Sequence, residues 1–215
     1  MEQPDWRGWH GAYDDESSSL SDRLRLVRTF IRQVLDARNG RPTRVISACA
    51  GEGRDIIAAT ATHPARRSVE ALLVEITPAV AATARESARR HGLERFTVME
   101  ADAGRSDVYA SMVPANLLLF CGIFGWISDE DVFRTIAFLP RLAAPGATVI
   151  WTRHHREPDL TGAARARFAA AGFEEIAFVK PENSVSSVGV HRLAMPPLEF
   201  ERGAALFTFA RSTAP

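Results

Sequence analysis

From Arg44 onward the sequence alternates between short apolar runs of strand length and amphipathic runs of helix length. That alternation restricts the fold more than any other feature. Residues 44–48, 69–76, 96–100 and 116–121 read as strands, the last apolar throughout, as a strand covered on both faces should be. Helices are expected from Arg54, from Thr77-Pro78 through Ala88 to His91-Gly92, and from Ser128 toward Leu142. Pro145-Gly146 turns the chain into a strand over 147–152, and a helix over 160–171 stops at Gly172. Residues 173–179 and 204–210 read as late strands, with 188–193 a further candidate. Ahead of all this, Ser19 is placed to cap a long helix in which Leu20, Leu24, Val27, Ile31 and Leu35 share a face, ending at Asn39-Gly40. Alternation at this spacing means a parallel sheet with helices on both faces. Its ligand belongs beyond the carboxyl ends of the strands, at the topological switch.

Composition removes several classes. The 26 basic and 26 acidic residues balance, so no net field draws the chain to nucleic acid or an anionic membrane. The longest apolar run, Leu117 to Ile127, is 11 residues, against the ~20 needed to cross a bilayer. No signal peptide is read at the start, and a reducing, cytoplasmic setting is expected. Two cysteines, Cys49 and Cys121, cannot build a disulfide framework or a cysteine zinc site, and no metal is expected. The 215 residues divide into an aromatic, acidic segment over 1–18, carrying Trp6, Trp9, His10 and Tyr13, and one domain over 19–215. The first segment has an apolar and an acidic side, which suits a lid or strap over a pocket.

The turn after the first strand, Ser47-Ala-Cys-Ala-Gly-Glu-Gly-Arg-Asp55, holds two glycines that let backbone approach a ligand, before a helix whose free N–H groups favour an anion. The second strand ends in Glu75, 22 residues after Gly53, where a carboxylate can accept both hydroxyls of a ribose. The third is followed by Ala101-Asp102-Ala103, placing a carboxylate to accept from an exocyclic amine. Each acid alone is commonly a solvated charge at a strand end. Three such features in order, each at a carboxyl end, are not.

With these residues in hand, the chain resembles the class I S-adenosylmethionine-dependent methyltransferases from about Ser19 onward, and in particular small members with a Cys-Ala-Gly-x-Gly-Arg-Asp loop and a Trp-Thr-Arg-His segment. The resemblance implies an α/β, Rossmann-like, doubly wound and mostly parallel seven-stranded sheet that ends in an antiparallel hairpin. It implies that Ala48, Cys49, Ala50, Gly51, Glu52 and Gly53 cradle the methionine end of S-adenosylmethionine. Glu75 would hold the ribose with Ile76 against the adenine, Asp102 and Ala103 would read the adenine amine, and Cys121 and Gly122 would line the methyl side. The chain departs from the family at Ser47, where an acid is usual, and at Cys49, where Gly is usual; Asp55 is a carboxylate able to stand in.

For the acceptor, a small molecule methylated on oxygen is expected. His154 and His155 are the candidate bases, since a His near its ordinary pKa of ~6.5 accepts a proton readily. Phe124 and Trp126 would form an apolar acceptor wall, Arg153 would take a substrate carboxylate, and Tyr13 would reach in from the lid. The Asn/Asp-Pro-Pro-aromatic run of amino-group nucleic-acid methyltransferases is absent from the loop after the fourth strand, so no nucleic-acid partner is expected; a homodimer is left open. The rivals are a nicotinamide-dependent oxidoreductase, disfavoured by Ile56 at the third-Gly position, and a non-catalytic cofactor-binding or oligomerisation module. The two cysteines should lie close together as free thiols beside the cofactor.

Overall fold

The computed structural model describes residues 19–181 and 184–209. The expected lid over 1–18, Tyr13 included, lies outside the described residues. The first helix, α1 (Ser19–Arg38), runs into β1 (Thr43–Ala48), followed by α2 (Ile56–Ala61) and β2 (Val69–Glu75). Then come α3 (Pro78–Arg90), β3 (Phe96–Glu100), β4 (Ala115–Phe120), α4 (Asp129–Phe138), β5 (Ala143–His154), α5 (Thr161–Ala170), β6 (Phe173–Val179) and β7 (Ser186–Leu193).

The seven strands form one sheet in the order β3-β2-β1-β4-β5-β7-β6. β1 lies parallel between β2 and β4, with Ala48 beside Val74 and Ser47 beside Leu119. Sequence order reverses there, so the crevice between β1 and β4 is the switch point. β7 is antiparallel to both β5 and β6, which supplies the terminal hairpin. The long reach of β5 corrects the shorter strand expected: Pro145-Gly146 forms an irregularity inside it, where the β4–β5 register shifts.

Alternation of side chains sorts the core onto two faces. Val45, Leu117 and Leu119 point to α1, α2 and α3, where Val27, Ile31, Leu35, Ile56, Ile57 and Ala84 cover them. Ile46, Ala48, Leu118 and Phe120 point the other way, to Val132, Ile136 and Phe168 of α4 and α5. Each Leu or Ile fully buried here contributes about 1.5–3 kcal/mol.

Residues 204–209 correct another expectation. They do not join the sheet as a strand; they cross its carboxyl edge, making single antiparallel bridges at Arg105–Ala205 and Ile127–Phe209. Leu206 and Phe207 are buried there, the Leu206 N–H donates to the Gly104 carbonyl at 2.8 Å, and Thr135 Oγ1 donates to the Leu206 carbonyl at 3.2 Å. Any side chain at position 104 would collide with the Phe207 carbonyl, so Gly104 is what admits the crossing.

Candidate active site

The glycine loop is built from left-handed residues. Cys49, Gly51 and Gly53 have φ of 48°, 57° and 67°. Gly53 is needed twice, because an added Cβ would also stand 2.7 Å from Leu73 Cδ2 and 2.8 Å from Ile57 Cδ1. The Ala50 N–H donates to the Val74 carbonyl at 2.9 Å, tying the loop to β2. From α1, Arg28 donates through Nε and Nη2 to the Arg54 carbonyl at 2.9 and 2.7 Å and braces the far side. Glu52 turns outward to pair with Arg54 Nε at 2.6 Å. Asp55 caps α2, accepting from the Ile56 N–H at 2.6 Å. Burial raises its pKa, against the pull of that N–H and of the Arg28 and Arg23 charges.

Glu75 joins two loops. Its Oε2 accepts from the Gly51 N–H at 3.0 Å and its Oε1 from the Thr77 N–H at 2.9 Å. An ionised carboxylate has about four lone-pair sites, so two remain for a ribose diol. Thr77 stands at the head of α3 as expected, but its hydroxyl makes no capping bond. Ile76, next to Glu75, is 60% exposed, an uncovered apolar face beside that carboxylate. At the end of β3, Asp102 Oδ1 accepts from the Gly104 N–H at 2.8 Å, and the buried Ala103 offers its carbonyl to the Tyr109 hydroxyl at 2.6 Å. Glu75 and Asp102 both lie near Cys49: burial first, then these two charges, push that thiol upward.

The cysteines are free. Ser47 pairs with Leu119, and Cys49 and Cys121 each follow two residues later, beyond the paired stretch. The left-handed turn at Cys49 flips its side chain, however. Cys49 packs against the cluster under α4 and α5, and Cys121 against the one under α1 to α3.

After β4, the Gly122 N–H donates to Thr152 Oγ1 at 2.8 Å, which fixes this loop to β5. Phe124 is a correction to the expected acceptor wall: it is fully buried, against Phe120 and Trp151 with ring centroids 6.5 and 5.7 Å away. Trp126 remains 43% exposed. Arg153 is also a correction. It is buried, donates through Nη1 to the Phe124 carbonyl and places Nη2 3.7 Å from Asp129, so its charge braces this loop and is not held out for a substrate carboxylate.

The two histidines differ. His155 uses both ring nitrogens, Nδ1 with Asp159 Oδ2 at 2.7 Å and Nε2 with Ser187 Oγ at 2.9 Å. Against the upward push of desolvation, the Thr161 N–H and His155 hold Asp159 at about 2. His154 is half-buried, which lowers its pKa and keeps the ring neutral at pH 7. Its Nδ1 accepts from the Arg156 N–H at 3.2 Å, and its Nε2 lies a long 3.4 Å from the Gly125 carbonyl. Gly125 makes this possible, since a Cβ there would meet the ring at 2.7 Å. Among the described residues, no group of His, Cys, Asp and Glu is arranged to hold a metal, and no helix is long and apolar enough to cross a membrane.

Thr152, Arg28 and Tyr109 also shape this site and were not anticipated. Thr152 lies inside the Trp-Thr-Arg-His segment and could have been found by asking what fixes Gly122; Tyr109 and Arg28 carry no local signal.

The fold is shared with solved methyltransferases. An O-methyltransferase family protein from Burkholderia thailandensis aligns with a TM-score of 0.61 at 14% identity, over 80% of this chain and 57% of that one. This chain therefore spans little more than half of that relative. Magnesium protoporphyrin IX methyltransferase from Synechocystis PCC 6803 aligns with a TM-score of 0.60 at 15% identity, over 79% and 78%. An RNA methyltransferase from Salinibacter ruber aligns at 0.50 and 17%, over 80% and 97%. No curated protein matches the chain in sequence. A family model described as "Putative methyltransferase" matches residues 8–177, well over half of the chain and every element from α1 to β5 that builds the crevice. The chain belongs to that methyltransferase family.

Proposed function

We propose that the protein transfers a methyl group from S-adenosylmethionine to a small molecule, with oxygen as the acceptor atom. The observation that carries this reading is Glu75, a carboxylate at the end of β2 whose two oxygens grip the glycine loop and the head of α3 while keeping lone pairs for a diol. The donor set fits the cofactor: a positive-φ glycine loop, Asp102 one strand over, and Ile76 exposed between them. S-adenosylmethionine supplies a methyl group already activated on a sulfonium. The protein's task is then to orient, which in favourable cases is worth about 7–11 kcal/mol.

Glu75 accepts from the ribose hydroxyls and Asp102 from the adenine amine. Gly122, held by Thr152, lets the backbone approach the reacting centre. His154 takes the proton of the acceptor hydroxyl. It does so at Nδ1, the ring nitrogen that carries the electron pair and is only weakly engaged by the Arg156 N–H at 3.2 Å, while the Nε2–H stays directed to the Gly125 carbonyl. Balanced charge supports a small acceptor over a nucleic acid, and two free thiols suit a reducing cytoplasm.

The test is calorimetric titration with S-adenosylhomocysteine, followed by methyl transfer to a panel of phenols, carboxylic acids and amines. Micromolar binding and turnover on a hydroxyl or carboxyl acceptor are expected. No binding would remove the cofactor; turnover only on amines would remove oxygen as the acceptor.

A further inference from the structure

From Arg153 to Asp159 the chain leaving β5 carries six titratable side chains, and four of them are engaged within the protein. Arg153 donates to the Phe124 carbonyl and lies 3.7 Å from Asp129. His155 is held between Asp159 and Ser187. Asp159 also accepts from the Thr161 N–H at 2.9 Å, and Glu157 accepts from the Asp159 N–H at 3.3 Å. The other two are His154 and Arg156. Arg156 is exposed, and among the described residues no carboxylate or carbonyl occupies its guanidinium.

The backbone fixes where Arg156 stands. Its N–H donates to His154 Nδ1 at 3.2 Å, the nitrogen assigned above to the acceptor's proton. A long cationic side chain therefore starts one hydrogen bond away from the reacting hydroxyl. Its charge reaches the ring: burial lowers the His154 pKa most, and the Arg153 and Arg156 charges add to that. Against the same ring lies Gly125, where a Cβ would come within 2.7 Å of it. Trp126 follows directly and is 43% exposed.

A base, a large aromatic ring and an uncommitted cation at one opening complement a ligand with three matching parts. The hydroxyl goes to the base, a flat ring covers the indole, and an anionic group meets the guanidinium, whose planar fork suits a carboxylate. We propose that the acceptor is an aromatic hydroxy acid, its carboxylate bound by Arg156 and its ring laid against Trp126; this rests on the methyl-transfer reading above. Arg156 thus fills the role expected of Arg153, three positions along the same segment.

Hydroxybenzoates with the hydroxyl at each ring position, each paired with its methyl ester, test it, because acid and ester share ring and hydroxyl and differ in charge. Calorimetry on the full chain saturated with S-adenosylhomocysteine reads the preference in binding, and kcat/KM with S-adenosylmethionine reads it in turnover. For at least one pair the wild type should favour the acid about tenfold, the low end for a hydrogen bond to a charged group because Arg156 is exposed. High salt should shrink that preference. In Arg156→Gln the acid-to-ester ratio should fall to about one, in Arg156→Glu it should invert, and Arg156→Lys should keep part of it. Each ratio is taken within one variant, so a general loss of stability or activity cancels. A wild type that favours the acid in no pair, or an undiminished ratio in Arg156→Gln, overturns the assignment and leaves methyl transfer standing. A wild type that neither binds S-adenosylhomocysteine nor methylates any hydroxyl removes the reading beneath it as well.

Discussion

Glu75 Oε2 and the Gly51 N–H are 3.0 Å apart, so the second strand's terminal carboxylate holds the first strand's loop in shape. One side chain thus does two things: it closes the loop against β2 and presents its remaining lone pairs to the crevice. Glu75→Ala should lose both. Affinity for S-adenosylhomocysteine is expected to fall by about 1.5–3 kcal/mol, with a lower melting temperature because the Gly51 and Thr77 donors lose their acceptor. Glu75→Gln should help little, since its amide NH2 must face one of those two N–H groups. Calorimetry and thermal unfolding of the two variants check this.

His154 and His155 should separate by assay. His154→Asn is expected to lower kcat about a hundredfold or more on a hydroxyl acceptor while leaving cofactor affinity intact. His155→Ala should act on stability first, because it frees Asp159 and Ser187 together. Burial lowers the pKa of His154, and a base works only when unprotonated, so the acid limb of kcat should lie below pH 6.5. A pH–rate profile of the wild type reads it directly.

His191 should make the protein acid-sensitive. It is 1% exposed, and its Nδ1 accepts from Trp151 Nε1 at 3.1 Å. Burial brings its pKa down to about 4 from 6.5, with Glu175 pulling upward. The unfolded chain therefore takes up a proton before the folded one as pH falls, and stability is lost between about 6.5 and 4. The loss is on the order of 2–3 kcal/mol. Urea unfolding at pH 7 and pH 4.5 should show it, and His191→Gln, which keeps an acceptor for the indole, should abolish most of the difference.

Mild oxidation should not join Cys49 to Cys121, whose side chains leave opposite faces of the sheet. Burial also pushes both thiols upward, so little thiolate is present. Both should alkylate slowly at pH 8 in the folded protein and fast in urea, followed by mass spectrometry. A Cys49–Cys121 linkage in the oxidised native protein would contradict the flipped turn.

Much of this was legible in the sequence because a parallel strand buried on both faces is a continuous apolar run, and its end is marked when a glycine or an acid follows. Glu75, Asp102 and the loop over 49–53 are such markers. Phe124 was not legible. An aromatic ring in a glycine-rich loop looks the same whether it faces ligand or core, and what decides is Trp151, on the neighbouring strand. Arg153 was misread for the same reason, its partner being a backbone carbonyl that carries no residue signature. Residues 204–209 have the composition of a strand, yet they bury Leu206 and Phe207 by crossing two loops.

That crossing bears on how the protein is made. A ribosome releases the glycine loop, Glu75 and Asp102 long before residues 204–209 emerge. Until they do, Gly104 has no chain lying across it, and the Thr135 hydroxyl on α4 has no Leu206 carbonyl to meet. Residues 101–104 and α4 are thus finished last, by contacts that reach 71 residues back at Thr135, and a nascent chain stalled short of residue 204 would carry the loop after β3 unfinished.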